Sequence, residues 1–153
     1  MATYKTELFG HLIYSPELSY EELITREEEV KALIQEVLTG HGAEFLHFEA
    51  LGDTLRTQCV FQDGDEDLYQ DICEAVAPAM KGGIEARFLL VDKDLEILHF
   101  YALSGGRWQE AVSSLPGPGF LDRTALPVTV ADVAPARKPV PKAAPKTAPK
   151  GKK

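Results

Sequence analysis

Residues 30–38 have the sequence VKALIQEVL, in which apolar side chains recur at the spacing of an amphipathic helix. The apolar residues are Val30, Leu33, Ile34, Val37 and Leu38. They occupy positions i, i+3, i+4, i+7 and i+8, which line one face of a helix with 3.6 residues per turn. Two capping boxes lie upstream, Ser19 with Glu22 and Thr25 with Glu28. The helix is therefore expected to begin near residue 19, or to be broken into two pieces near residue 25.

Strand-like segments and a second helix surround this helix in the chain. Gly40 is expected to close the first helix in a left-handed conformation. A second amphipathic helix is predicted from about Asp65 to Met80, loosened near its end by Pro78. β-rich runs predict strands at residues 8–14, 44–50, 54–62, 84–92 and 95–103. Short turns at residues 51–53 and 92–94 join four of these strands into two hairpins, and a short helix is expected to follow as far as Ser114.

The resulting order of elements, βαββαββ, predicts an α+β fold. It resembles the ferredoxin-like split βαβ arrangement, βαββαβ, with one extra strand at the end, and the resemblance covers residues 8–103 as topology alone. It implies a two-layer sandwich in which both helices cover one face of an antiparallel sheet and leave the other face open. A single domain is expected over residues 1–133, with its core in residues 8–115.

The charges divide the chain into two parts. Residues 1–136 contain all 24 acidic and 9 of the 16 basic side chains, whereas residues 137–153 contain seven bases and no acid. Lys/Pro/Ala repetition without apolar content predicts a disordered tail over residues 134–153. If nucleic acid or another anionic surface binds, the tail is the expected contact, by way of Lys142, Lys146, Lys150, Lys152 and Lys153. The alternative is a solubilising tail held loosely against the acidic body.

Neither a targeting signal nor a membrane span is visible in the sequence. The N-terminus has no apolar run of the secretory type, and no segment approaches the ~18 apolar residues of a spanning helix. Cys59 and Cys73 lie in apolar-periodic segments rather than in a close pair, which indicates buried free thiols in a reducing compartment. These features argue against a membrane-spanning protein and a disulfide scaffold, and they predict a cytoplasmic location.

The uncovered face of the predicted sheet is the first candidate for function. Strand alternation places on it Phe9, His11, Ile13, Phe45, His47, Arg56, Leu98 and Phe100. Exposed apolar side chains in such number are typical of an interface, so a homodimer or a protein partner is expected there. Two alternatives stay open. Residues 107–133 of the same chain would cover the face, or a small-molecule or enzyme site would use His47, Arg56 and Glu49.

Few residues point to a named chemistry. None of the four histidines stands in a spacing typical of metal ligands, and His99 is expected to be buried and hydrogen-bonded rather than catalytic. Gly105, Gly106 and Arg107, placed before the expected short helix, are a possible anion site. No cofactor, metal or catalytic residue is predicted. The sequence therefore favours a non-enzymatic binding or regulatory module that associates with itself through the sheet.

Overall fold

Reciprocal hydrogen bonds between Ser19 and Glu22 start the first helix, α1 (Tyr20–Gly40). Ser19 Oγ accepts a hydrogen bond from the Glu22 backbone N–H at 3.2 Å and donates one to Glu22 Oε2 at 2.9 Å. The helix is continuous from this point, so the earlier of the two predicted starts is the observed one. The helix ends at Gly40, as predicted, but Gly40 is not left-handed, and the nearby glycine with a positive φ, 91°, is Gly42.

A computed structural model describes residues 3–115, in which six strands accompany two α-helices. The strands are β1 (Thr6–Tyr14), β2 (Glu44–Ala50), β3 (Thr54–Phe61), β4 (Ile84–Asp92), β5 (Ile97–Ser104) and β6 (Arg107–Ser114). The second helix, α2 (Glu66–Val76), is capped by Asp65, whose carboxylate accepts a hydrogen bond from the Leu68 N–H at 2.9 Å. It ends earlier than predicted, because Pro78 lies in a separate short 3-10 helix, Ala77–Ala79.

All strand pairs of the sheet are antiparallel, and the strand order is β2-β3-β1-β4-β5-β6. This confirms an α+β fold with an antiparallel sheet and two helices. The order of six strands differs from that of a ferredoxin-like sheet with one added strand. The short helix predicted up to Ser114 is wrong, since residues 107–114 form β6 and pair along the whole of β5.

The core lies between the two helices and one face of the sheet. Buried and exposed side chains alternate along β1 and β4, so Leu8 and Leu12 point toward the helices while Phe9 and His11 point away. Buried residues of both helices, including Ile34 of α1, join the inward side chains in one cluster. The other face of the sheet carries no helix of the described residues. It is called the open face below.

Within residues 3–115, no helix combines the length and apolar content needed to cross a bilayer. Cys59 and Cys73 are buried and free, as predicted. The tail expected over residues 134–153, with its five lysine contacts, lies outside the described residues, and so does the part of the expected covering segment beyond Leu115.

Candidate functional site

A continuous row of apolar side chains crosses the open face. Strand register places Phe9 opposite Leu89, Leu89 opposite Phe100 and Phe100 opposite Ala111, so the row spans β1, β4, β5 and β6. Phe9 and Phe100 remain 43% and 42% exposed, although each lies in the middle of a strand. Half-buried Leu98 lies next to Phe100 on the same face. The two phenylalanines and Leu98 that sequence alternation predicted here are therefore brought together.

The centre of this row is concave. An open depression of about 320 Å³ is bordered by Phe9, Leu89 and Phe100, with His11 and Arg87 at its polar margin. His11 and Arg87 are direct cross-strand partners of β1 and β4. The open face thus combines an apolar centre with a polar edge, which is the composition of a protein interface.

The open face is almost neutral on a strongly acidic molecule. Residues 3–115 contain 22 acidic and 8 basic side chains, a formal charge of −14. The strand positions on the open face carry four acids and three bases, which are Glu7, Glu44, Glu49, Glu85, Arg56, Arg87 and Arg107. Nearly all of the acidic excess therefore lies elsewhere, and electrostatic repulsion between two copies is weakest through this face.

The remaining predicted residues of the open face lie toward its β2 edge. Arg56 pairs with its cross-strand partner Glu49 at 3.5 Å, so these two side chains satisfy each other. His47 lies opposite Gln58 in the row that contains Phe9. Phe45 stands at a bulge in β2 with a φ of 55°, and its ring makes an edge contact with Tyr4 at 5.8 Å. Phe45 is 74% exposed. Its position at the β2 bulge keeps it apart from the central apolar row of Phe9, Leu89, Phe100 and Ala111.

The predicted anion site lacks the helix on which it depended. Gly105 and Gly106, with φ values of 61° and 78°, form a tight turn between β5 and β6, and Arg107 is the first residue of a strand. The Gly106 N–H is already used, because it donates to the Met80 carbonyl at 3.0 Å. Among residues 3–115, this glycine turn leads into a strand and not into a helix.

The helix side of the sheet contains a polar cluster that sequence reasoning missed. His99 and Tyr101 of β5 and Glu110 of β6 point inward, and all three are buried. Tyr101 donates a hydrogen bond to Glu110 Oε2 at 2.6 Å, while Gln70 of α2 donates to Oε1 at 3.5 Å. Tyr69 of α2 packs edge-on against the His99 ring at 4.9 Å. Strand register and the packing of α2 together hold this cluster in place.

Burial controls protonation in the cluster. It lowers the pKa of His99 below the ordinary value, an effect that the negative charge of Glu110 only partly offsets. It raises the pKa of Tyr101, and the hydrogen bond to Glu110 acts in the same direction. Tyr101 therefore stays a hydrogen-bond donor, and His99 favours its neutral form, in which one ring nitrogen carries a free lone pair.

His99 is buried as predicted, but the expectation that its hydrogen bonds are satisfied is wrong. Its Nδ1 atom is buried and has no hydrogen-bond partner, and it lies 3.6 Å from Glu110 Oε2, beyond hydrogen-bond reach. Glu66, exposed in the first turn of α2, brings a carboxylate to the same place, so that donor atoms of Glu66, His99 and Glu110 all lie within 4.8 Å of one another. These are the described residues that could hold a metal ion.

Comparison with known proteins gives no family assignment. No family model matches the chain, and no similar sequence was found among the curated proteins.

Proposed function

We propose that this chain is a self-associating module whose open face packs against the open face of a second copy. The observation that carries the proposal is the apolar row formed by Phe9, Leu89, Phe100 and Ala111, which crosses β1, β4, β5 and β6 on the open face. Two sheets that pack face to face bury such rows between them, about 10 Å apart. The proposed role is non-enzymatic.

The charge distribution supports a second copy as the occupant. A strongly basic partner would be expected to bind the acidic surfaces of the molecule, whereas the open face offers almost no net charge to attract it. Two identical acidic molecules approach each other at least cost through their neutral faces. Burying the exposed parts of Phe9 and Phe100 contributes roughly 1 kcal/mol for each ring.

Sedimentation equilibrium of the full chain tests this proposal. The wild type is expected to be a dimer, and Phe9→Glu/Phe100→Glu is expected to be a monomer with at least a hundredfold weaker association, because four like charges would meet in an apolar interface. The matched control is Tyr20→Glu/Leu95→Glu. It makes the same change in net charge at two apolar residues that are 77% and 63% exposed outside the open face, and it should stay dimeric.

A charge-swap experiment separates an interface from a merely structural role. Phe9→Lys/Phe100→Lys alone should also be monomeric, whereas an equimolar mixture with Phe9→Glu/Phe100→Glu should form a heterodimer. A wild type that sediments as a monomer up to its solubility limit would refute self-association. It would leave residues 116–133, or a different protein, as the occupant of the open face.

We also infer that residues 6–92 follow the ferredoxin-like arrangement, extended at one side by β5 and β6. The partial order β2-β3-β1-β4, with α1 and α2 as the two connections, supports this inference. In that arrangement the added strands widen the open face, and they supply Phe100 and Ala111 to its apolar row.

A further inference from the structure

Glu110 is a buried carboxylate for which the described part of the chain offers no permanent cation. Its side chain is 5% exposed, and no lysine or arginine of residues 3–115 forms an ion pair with it. Its partners are the neutral donors Tyr101 and Gln70. Buried carboxylates normally pair with a cation or coordinate a metal, because desolvation of an isolated charge is costly.

His99 adds an independent sign that something binds beside Glu110. Its side chain is nine-tenths buried, and the unpartnered Nδ1 atom faces Glu110. Buried nitrogen atoms without a hydrogen bond are rare, and each calls for a ligand, a water or an ion. One cation would satisfy both the unpartnered Nδ1 atom of His99 and the uncompensated charge of Glu110.

We propose that Glu66, His99 and Glu110 form a binding site for one divalent transition-metal ion. Nitrogen and oxygen atoms placed tetrahedrally around one zinc ion at 2.0–2.2 Å are separated by about 3.3–3.6 Å. The observed donor atoms, all within 4.8 Å of one another, reach that geometry by a closing movement of up to about 1.5 Å. Glu66 is exposed and is the ligand best placed to make that shift.

The donor set selects the class of ion. An imidazole with two carboxylates suits zinc, manganese, iron or cobalt, whereas magnesium and calcium prefer oxygen ligands alone. Tyr101 and Gln70 hold the Glu110 carboxylate in the manner of second-shell groups, which orient a ligand and tune its basicity. Three protein ligands leave a coordination position for water or a small ligand.

Zinc titration of the full chain by isothermal calorimetry tests the proposal. After treatment with a chelator and its removal, the wild type is expected to bind one zinc ion per chain. Glu66→Gln and His99→Gln should each weaken the affinity at least tenfold. Asp67→Asn is the matched control for Glu66→Gln, because it removes the same charge from the same turn of α2 outside the donor group. His11→Gln is the control for His99→Gln and should bind as the wild type does.

Cobalt provides a second readout. One equivalent should give visible absorption bands of a coordinated ion in the wild type and in Asp67→Asn, but not in Glu66→Gln. Because Glu66 is exposed, its variant is expected to keep the fold even if His99→Gln does not, and circular dichroism checks this. The proposal is overturned if the wild type shows no stoichiometric metal binding, or if Glu66→Gln binds the metal as tightly as the wild type. It is also overturned if Glu66→Gln and Asp67→Asn lose the same affinity, which would indicate diffuse attraction of the ion to the acidic surface.

Discussion

Replacement of Gly10 by alanine should destabilise the fold although it adds only one methyl group. Gly10 lies on the core side of β1, and a Cβ atom there would come within 2.6 Å of Thr57 Cγ2 and 2.9 Å of the Phe88 ring. Contacts this short force neighbouring strands apart or the ring out of its rotamer, which typically costs about 1–3 kcal/mol. The free energy of unfolding, measured by urea denaturation, should fall by that amount with an unchanged m-value.

Gly40 provides the control for the Gly10 prediction. A Cβ atom at Gly40 meets nothing within 4 Å, so Gly40→Ala in α1 should be neutral or stabilise the protein by up to ~1 kcal/mol. Thr57→Ala removes the methyl group that the new Cβ would strike. The cost of Gly10→Ala should therefore shrink by at least ~0.5 kcal/mol in the Thr57→Ala background. An unfolding free energy of Gly10→Ala equal to that of the wild type would refute the packing of β1 against β3 and β4.

Three further predictions concern the buried polar cluster and the thiols. Tyr101→Phe should lower the free energy of unfolding by roughly 1–3 kcal/mol, because it leaves the buried Glu110 carboxylate without its short hydrogen bond; a urea midpoint equal to that of the wild type would contradict this. Folding holds His99 neutral, whereas the unfolded chain binds a proton there below pH ~6.5. In the presence of a chelator, the free energy of unfolding should therefore fall as the pH drops below that value, with a slope approaching about 1.4 kcal/mol per pH unit. The His99→Gln variant should lack this contribution, and parallel pH profiles of the variant and the wild type would contradict the prediction. Burial raises the pKa of Cys59 to about 12 and also raises the pKa of Cys73, so a thiol reagent should label both slowly in the native protein and rapidly in urea; fast native labelling would show that one of these thiols is accessible.

The elements with a complete local signal were predictable from the sequence. The period of residues 30–38 and the capping box at Ser19 define most of α1, and the alternation along β1 correctly placed Phe9 and His11 away from the core. In each case the pattern depends on neighbours within one element. The open face could therefore be outlined before its geometry was known.

Strand β6 was missed because a charged side chain interrupts its apolar pattern. Trp108, Glu110 and Val112 alternate inward, but the central member is a buried carboxylate, which hides the period of two. Gly105-Gly106 following a strand is a known hairpin signal and could have revealed β6. The site around His99 could not be predicted from local sequence patterns. Its imidazole and the carboxylates of Glu66 and Glu110 come together only through the register of β5 with β6 and the packing of α2.

The position of β1 in the sheet also has a consequence for the time course of folding. β1 lies between β3 and β4, and Thr6 pairs with Asp92, so one full side of this strand has no partner until a segment 86 residues later is available. At a synthesis rate of about 5–20 residues per second, that delay amounts to roughly 4–17 seconds on the ribosome. Such distant pairings raise the contact order and slow folding relative to a helical bundle of equal length. A nascent chain would thus carry one hydrogen-bonding edge of β1 unpaired for seconds before β4 can close it.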